Sequence, residues 1–174
     1  MHQIELLVRL KIPDVTALTT INVLRRRMGY AEILDKLDRA DYYLFEVEAA
    51  SEEEACEIVR KLAAHTSLFA NPNKHVFEVR PWRPNPRLSQ HDGVYEVNCF
   101  VRSLDFDPGP GLVASLHKIG QESVRSLTTG TLWTLHLRVE DEAQARSIAD
   151  EIAVTRSRSR GILMNPHYQI CQVF

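Results

Sequence analysis

The sequence is short of cysteine and has no long apolar run, and each shortage excludes a class of protein. Its three cysteines, Cys56, Cys99 and Cys171, are odd in number and far apart, so they predict neither a disulfide framework nor a zinc site. No stretch of about 18 consecutive apolar residues is present, and the N-terminal segment lacks the features of a signal peptide. These absences predict a cytoplasmic protein that does not span a membrane.

An excess of charge of either sign is also missing. The chain has 21 lysines and arginines against 23 aspartates and glutamates, a formal net charge of -2. This balance gives no overall attraction to nucleic acid or to an anionic membrane, so neither is an expected partner. With 44% hydrophobic residues in 174, the composition is sufficient for one compact domain or two small ones.

Recognisable catalytic motifs are missing as well. The glycine-rich segment at residues 107–111 lacks the Lys-Ser/Thr pair of a phosphate loop and contains prolines, which have no N–H donor, so a turn is favoured. The seven histidines show no metal-ligand spacing. Cys56 lies beside a helical stripe, while Cys99 and Cys171 take inward strand positions; buried, inert thiols are favoured over a Cys–His nucleophile pair. The sequence therefore predicts no catalytic residue, metal site or cofactor.

What the sequence does contain is an internal repeat, seen when the chain is shifted against itself by about 90 residues. Near the start of each copy, apolar and polar residues alternate along a strand. A helical pattern follows and ends at a glycine, Gly29 in one copy and Gly120 in the other, where a left-handed backbone is expected. The two halves of the chain are therefore expected to have the same fold.

The remainder of each copy repeats in the same way. A short strand is expected first, then a longer alternating strand over residues 43–49 and 133–139. An amphipathic helix then begins at Ser51 and at Asp141, each with a capping residue three positions later. An Asn-Pro dipeptide precedes the last strand. Each copy therefore predicts a β-α-β-β-α-β unit.

The boundaries follow from this pattern. Residues 1–82 form the N-terminal repeat, residues 83–92 a proline-rich linker and residues 93–174 the C-terminal repeat. The element order predicts an α+β fold of two ferredoxin-like units in tandem, each a four-stranded antiparallel sheet with two helices on one face. The other face would be apolar, which predicts an internal pseudo-dimer with sheet packed on sheet; its residues include Leu7, Leu44, Val76, Phe100 and Leu132.

One local basic segment stands out in the few residues that the second repeat has in addition to the first. Arg156, Arg158 and Arg160 alternate with serines in an expected loop. This spacing suits contact with a phosphate or with an acidic partner surface, and a solvated loop is the alternative interpretation. These arginines are the candidate partner or anion contacts.

Several short motifs occur in a defined order. The second repeat has Asp-Pro at residues 107–108, a helix ending in the Leu-His-Lys-Ile-Gly of residues 116–120, and Gly130 before a strand. The first has Met-Gly-Tyr at residues 28–30, Ser-Glu-Glu-Glu-Ala at 51–55 and Leu-Phe-Ala-Asn-Pro at 68–72, but lacks the Asp-Pro and has Ala40 at the position of Gly130. In this order the motifs resemble those of the PurS family, over nearly the whole chain outside the linker.

PurS is the small, non-catalytic subunit of phosphoribosylformylglycinamidine synthase, an ATP- and glutamine-dependent enzyme of purine biosynthesis. The resemblance implies that the chain binds a PurL-type synthetase and a PurQ-type glutaminase and helps ammonia to pass between them. It implies no catalytic residues. The family is normally a single copy that forms dimers, and the tandem copy is similar to the N-terminal region of fused, single-chain synthases. One chain would then replace a dimer, and further self-association stays open.

Two other classes of protein remain as alternatives. Regulatory modules of the ACT type also pair β-α-β-β-α-β units and bind amino acids, usually beside a glycine at the first strand-to-helix turn, where this chain has Ile12, Pro13 and Asp14. An enzyme that uses the sheet as a platform would need polar side chains converging on it, and the sequence indicates none.

Overall fold

The fold is α+β, as the sequence predicts, and its strands form one antiparallel sheet. The computed structural model describes residues 1–84, 87–154 and 161–174. In these ranges the helices are α1 (Val15–Arg27), α2 (Glu52–His65), α3 (Gly109–Lys118) and α4 (Glu142–Ala153). The strands are β1 (His2–Leu10), β2 (Leu34–Val47), β3 (His75–Pro81), β4 (Ser89–His91), β5 (Val94–Ser103), β6 (Val124–Arg138) and β7 (Gln169–Val173). Their order is β3-β1-β2-β6-β5-β4, with β7 also paired to β5.

The helix ends confirm the local sequence signals. The side chains of Ser51 and Asp141 accept hydrogen bonds from backbone N–H groups in the first turns of α2 and α4, and Asp14 does the same for α1. Such caps satisfy N–H groups that have no partner within the helix. Gly29 and Gly120, after α1 and α3, have φ angles of 82° and 81°, a backbone conformation that glycine adopts without strain.

The middle strand of each repeat differs from the prediction. Instead of a short strand followed by a second one, each repeat has a single long strand, 14 residues in β2 and 15 in β6. The expected turn positions, Ala40 and Gly130, lie within these strands, and Gly130 does not have a positive φ. Because no residue there imposes a turn, the backbone stays extended. The separate short strands were therefore wrongly predicted, and the strand order gives one sheet where two packed sheets were expected.

The chain divides into two compact units, and each contains parts of both repeats. Unit 1 comprises residues 1–12, 40–84 and 106–130, and unit 2 comprises the described residues of 13–39, 85–105 and 131–174. Helix α1 of the first repeat therefore belongs to unit 2, while α3 of the second repeat belongs to unit 1. The long strands β2 and β6 contribute one half to each unit.

The core of unit 1 lies between its strands and the helices α2 and α3. Leu116 of α3 and Val124 of β6 are fully buried beside the apolar side of β1 and β2. The ring of Phe69 meets that of Phe45 edge to face, with centroids 5.3 Å apart. Fully burying a leucine or phenylalanine contributes roughly 1.5–3 kcal/mol, so α3 is a substantial part of this core. The other buried members include Ile4, Leu6, Val8, Val47, Val59 and Leu62.

The core of unit 2 is built in the same way with the repeats exchanged. Leu24 of α1 and Leu34 and Leu37 of β2 are buried against β5, β6 and α4. Residues of the first repeat are thus part of a core whose other side chains come from the second repeat. Those partners include Val97, Cys99, Leu135, Leu137, Ala149 and Ile152.

The sheet side away from the helices carries buried apolar residues, as predicted, together with polar ones that were not expected. Leu7 is 1% exposed, and Phe100 and Leu132 are also buried, whereas Val76 is 49% exposed. The expected linker, residues 83–92, contains strand β4, which pairs with β5 through a tight turn at Asp92 and Gly93. Both turn residues have positive φ, as two-residue hairpins of this kind require.

Candidate functional site

Arg156, Arg158 and Arg160 lie outside the described residues, so their contact with a partner or an anion stays a prediction.

Strand β3 is an edge strand of the sheet and lies within the described residues. β3 pairs with β1 and ends the strand order on the unit 1 side, and its side chains include the half-exposed Val76 beside Glu78 and Arg80. An edge strand of this kind offers backbone N–H and C=O groups to a partner.

A charged cluster is buried on the helix-free side of unit 1. Glu5 of β1 is 4% exposed, and its carboxylate accepts hydrogen bonds from the Tyr42 hydroxyl and the Arg80 Nε, both at 2.6 Å. Burial, with the neighbouring charge of Glu5, raises the pKa of Tyr42 well above its usual value. The hydroxyl therefore stays protonated and keeps donating. We call these three residues the Glu5 cluster; two donors satisfy its carboxylate, as a buried charge requires.

A second polar cluster lies on the helix-free side of unit 2. The Nε2 atom of His136 is 3.0 Å from Asp38 Oδ2, and its Nδ1 atom is 3.6 Å from Glu96 Oε1. The ammonium of Lys36 is 2.6 Å from Asp38. The hydrogen bond from His136, helped by Lys36, lowers the pKa of Asp38 to about 2. We call Asp38, Glu96 and His136 the His136 cluster.

The His136 cluster corrects the expectation that no polar side chains converge on the sheet. Glu96 and His136 are direct partners in the register of β5 and β6. Strand alternation in the sequence places each on the polar side of its own strand, but the register that pairs them is not encoded locally. Thr134, the next residue on that side of β6, donates to Asn98 at 2.8 Å, so its hydroxyl is not held by His136 as a nucleophile would be.

The glycine-rich segment at residues 107–111 was predicted to be a turn, but α3 already begins at Gly109, so only residues 107 and 108 precede the helix. The backbone N–H of Gly109 donates to Asp107 Oδ1 at 2.9 Å. A Cβ atom at Gly109 would lie 1.8 Å from the carbonyl oxygen of Leu127. The glycine is therefore needed for close packing of α3 against β6 within unit 1.

Cys56 and Cys99 occupy buried positions, as expected, whereas Cys171 is only partly buried and its hydrogen bond with Cys99 lowers its pKa. All three cysteines are free. Burial raises the pKa of Cys56, and a hydrogen bond with Cys171, together with burial, raises that of Cys99. A raised pKa leaves little reactive thiolate near neutral pH. Within the described ranges, no group of three or more His, Cys, Asp and Glu side chains is arranged to hold a metal ion.

A concavity in unit 1 lies between the end of α2 and the start of β3. It has a volume of about 310 Å³ and is lined by Ala63, Ala64, Ala70 and Phe77, with Lys11 and His75 among its polar residues. We call it the Lys11 pocket.

Of the helices in the described residues, none combines the length and the apolar character needed to cross a membrane. In comparison with known proteins, the chain matches no family model and no curated protein.

Proposed function

We propose that the chain is a PurS-like, non-catalytic subunit of phosphoribosylformylglycinamidine synthase that acts in the cytoplasm. In this role it assembles a PurL-type synthetase with a PurQ-type glutaminase, so that ammonia made by one reaches the other. Its two units would act as a ferredoxin-like pseudo-dimer that replaces a PurS homodimer, without nucleic acid, membrane or cofactor.

The observation that carries the proposal is the repetition of the motif positions in three dimensions. Gly29 and Gly120 end α1 and α3 with the same left-handed backbone, and Ser51 and Asp141 cap α2 and α4 in the same way. The motif residue Phe69 is buried in the core of unit 1. Motif residues that carry the resemblance to PurS thus end or cap helices or pack in a core. These structural roles favour a PurS-like fold.

The content of each unit supports a ferredoxin-like pseudo-dimer. Unit 1 has β3, β1 and half of β2 together with half of β6, and two helices, α2 and α3. Unit 2 has the corresponding set, β7, β5 and the other halves of β6 and β2 with helices α4 and α1, and it has the short strand β4 in addition. Four strand segments and two helices are the content of a ferredoxin-like unit.

The polar clusters favour a structural role over catalysis. Glu5 has both carboxylate oxygens engaged, by Tyr42 and Arg80. His136 has a carboxylate near each ring nitrogen. A general base needs a lone pair that can reach a substrate proton, and these groups are already engaged within the chain.

The test is reconstitution with purified PurL-type and PurQ-type subunits. We expect the chain to co-elute with the synthetase in the presence of glutamine and Mg-ADP, and to be required for turnover with glutamine. Turnover with ammonium at high concentration should not need it, because free ammonia reaches the synthetase without a bridge.

A pair of variants locates the contact. Val76→Lys changes a half-exposed residue of edge strand β3, while Val15→Lys changes an exposed residue at the start of α1 and serves as the control. Loss of co-elution with Val76→Lys alone would identify β3 as the contact. Absence of co-elution and of any effect on glutamine-dependent turnover would reject the assembly role, and titration with amino acids would then test the ACT-like alternative.

A further inference from the structure

The Lys11 pocket combines an apolar lining with hydrogen-bond donors. Small side chains from α2 and the following loop, Ala63, Ala64 and Ala70, line it together with the half-buried ring of Phe77. Its volume of about 310 Å³ falls at the lower end of the range of small-molecule sites. The alanines create this space because their side chains end at Cβ.

Two donors line the same pocket. The Nζ atom of Lys11 donates to the carbonyl oxygen of Pro72 at 2.5 Å, which leaves two of its three N–H groups for a ligand. His75 Nδ1 accepts a hydrogen bond from the backbone N–H of Asn71 at 3.1 Å, so in the neutral ring the hydrogen is on Nε2. Among the described residues that line the pocket there is no aspartate or glutamate. The local charge therefore favours an anion.

The internal repeat supplies a comparison. The helix caps align Ala64 with Val154, and the Asn-Pro dipeptides align Ala70 with Met164. Both counterparts in unit 2 are larger, and Met164 is 8% exposed and belongs to the core of that unit. Side chains of that size would fill the Lys11 pocket.

The cation is also specific to the first repeat. The backbone N–H of Lys11 donates to the carbonyl of Lys74, and that of Leu104 donates to the carbonyl of Tyr168 in the same way. Leu104 is therefore the counterpart of Lys11, and unit 2 has an apolar residue where unit 1 has an ammonium. Volume and charge thus differ together at the same place in the two units, which is the pattern expected of a binding site rather than of a requirement of the fold.

We propose that the Lys11 pocket binds a small organic carboxylate with an apolar body. The body contacts the alanines and Phe77, and the carboxylate accepts hydrogen bonds from Lys11 and from His75 Nε2. The pocket lining includes Val76 and Phe77 of edge strand β3, where the synthetase contact is also proposed, but binding of a carboxylate to the chain alone does not require the assembly role.

The experiment is titration of the full chain with benzoate, and with benzyl alcohol as an uncharged probe of similar shape, followed by amide NMR shifts. We expect saturable benzoate binding with Kd on the order of 1 mM and shifts centred on residues 63–77. Each variant introduces the residue found at the equivalent position of the second repeat. Lys11→Leu should weaken benzoate binding about tenfold and leave the binding of benzyl alcohol unchanged. Ala70→Met should abolish the binding of both probes. Lys74→Leu, a change at an exposed lysine outside the pocket, is the matched control.

Ala64→Val is the second filling variant, and it should weaken both probes if Ala70→Met does not fold. Equal affinity for the two probes would mean that an uncharged group, such as an apolar side chain of a partner, is the occupant, and would overturn the proposal. Absence of saturable shifts, or shifts centred away from the pocket, would also overturn it. Co-elution with the synthetase subunits is measured separately, so the two proposals can fail independently.

Discussion

Gly109 lies so close to the backbone of Leu127 that a Cβ atom at this position would be 1.8 Å from the Leu127 carbonyl oxygen. The contact joins the start of α3 to β6 within unit 1. We expect Gly109→Ala to destabilise the protein by more than about 2 kcal/mol, because backbone must move to relieve the overlap. Gly111→Ala, in the same helix with no atom within 4 Å of its Cβ position, should be neutral or stabilise by about 0.5–1 kcal/mol. Urea denaturation of both variants tests the difference, and equal midpoints would contradict it.

The Glu5 cluster predicts a large difference between two glutamates of unit 1. Glu5→Gln should cost about 1–3 kcal/mol, because it removes the charge that holds Arg80 and one acceptor of a buried network. Glu78→Gln, at a half-exposed partner of Arg9 and Arg80, should cost less than about 0.5 kcal/mol. Chemical denaturation at neutral pH measures both free energies of unfolding. A similar cost for the two would show that the burial of Glu5 has no energetic consequence.

The lowered pKa of Asp38 predicts a stability difference that depends on pH. Its pKa is 3.8 when unperturbed and about 2 in the folded protein, so its contribution is present above the unfolded value and is lost as the pH falls through about 2. Because Asp38 is partly exposed, we expect Asp38→Asn to cost no more than about 1 kcal/mol near neutral pH. The difference in free energy of unfolding between this variant and the unmodified protein should disappear as the solution is acidified. Asp92→Asn, in an exposed turn, is the control, and a gap that does not change with pH would contradict the prediction.

The composition of the two cores predicts that a single repeat does not fold as a stable monomer. In a fragment of residues 1–82, Leu24, Leu34 and Leu37 lose the partners from the second repeat that bury them. We expect this fragment, and that of residues 93–174, to be largely unfolded alone or to form dimers by exchanging α1 or α3. The two should recover helical structure when mixed. Circular dichroism and size-exclusion chromatography provide the measurement, and a folded monomeric fragment would contradict it.

The sequence by itself determined the local elements of this protein. Alternation identified most of the strands, though not β4 or the full length of β2 and β6. The capping residues Ser51 and Asp141 and the terminal glycines Gly29 and Gly120 placed helix ends correctly. These signals act within a few residues, so they can be identified without knowing the fold. The repeat was visible for the same reason, since both copies need the same local signals.

Only the tertiary structure decided which elements share a core. Both repeats have the same apolar pattern, so α1 fits the sheet of either, and periodicity cannot distinguish the two. The continuous strand β2, with no turn at Ala40, connects the two units and leaves α1 in unit 2. The Glu5 and His136 clusters were equally hidden, because their members come from different strands and meet through a register that depends on long-range pairing.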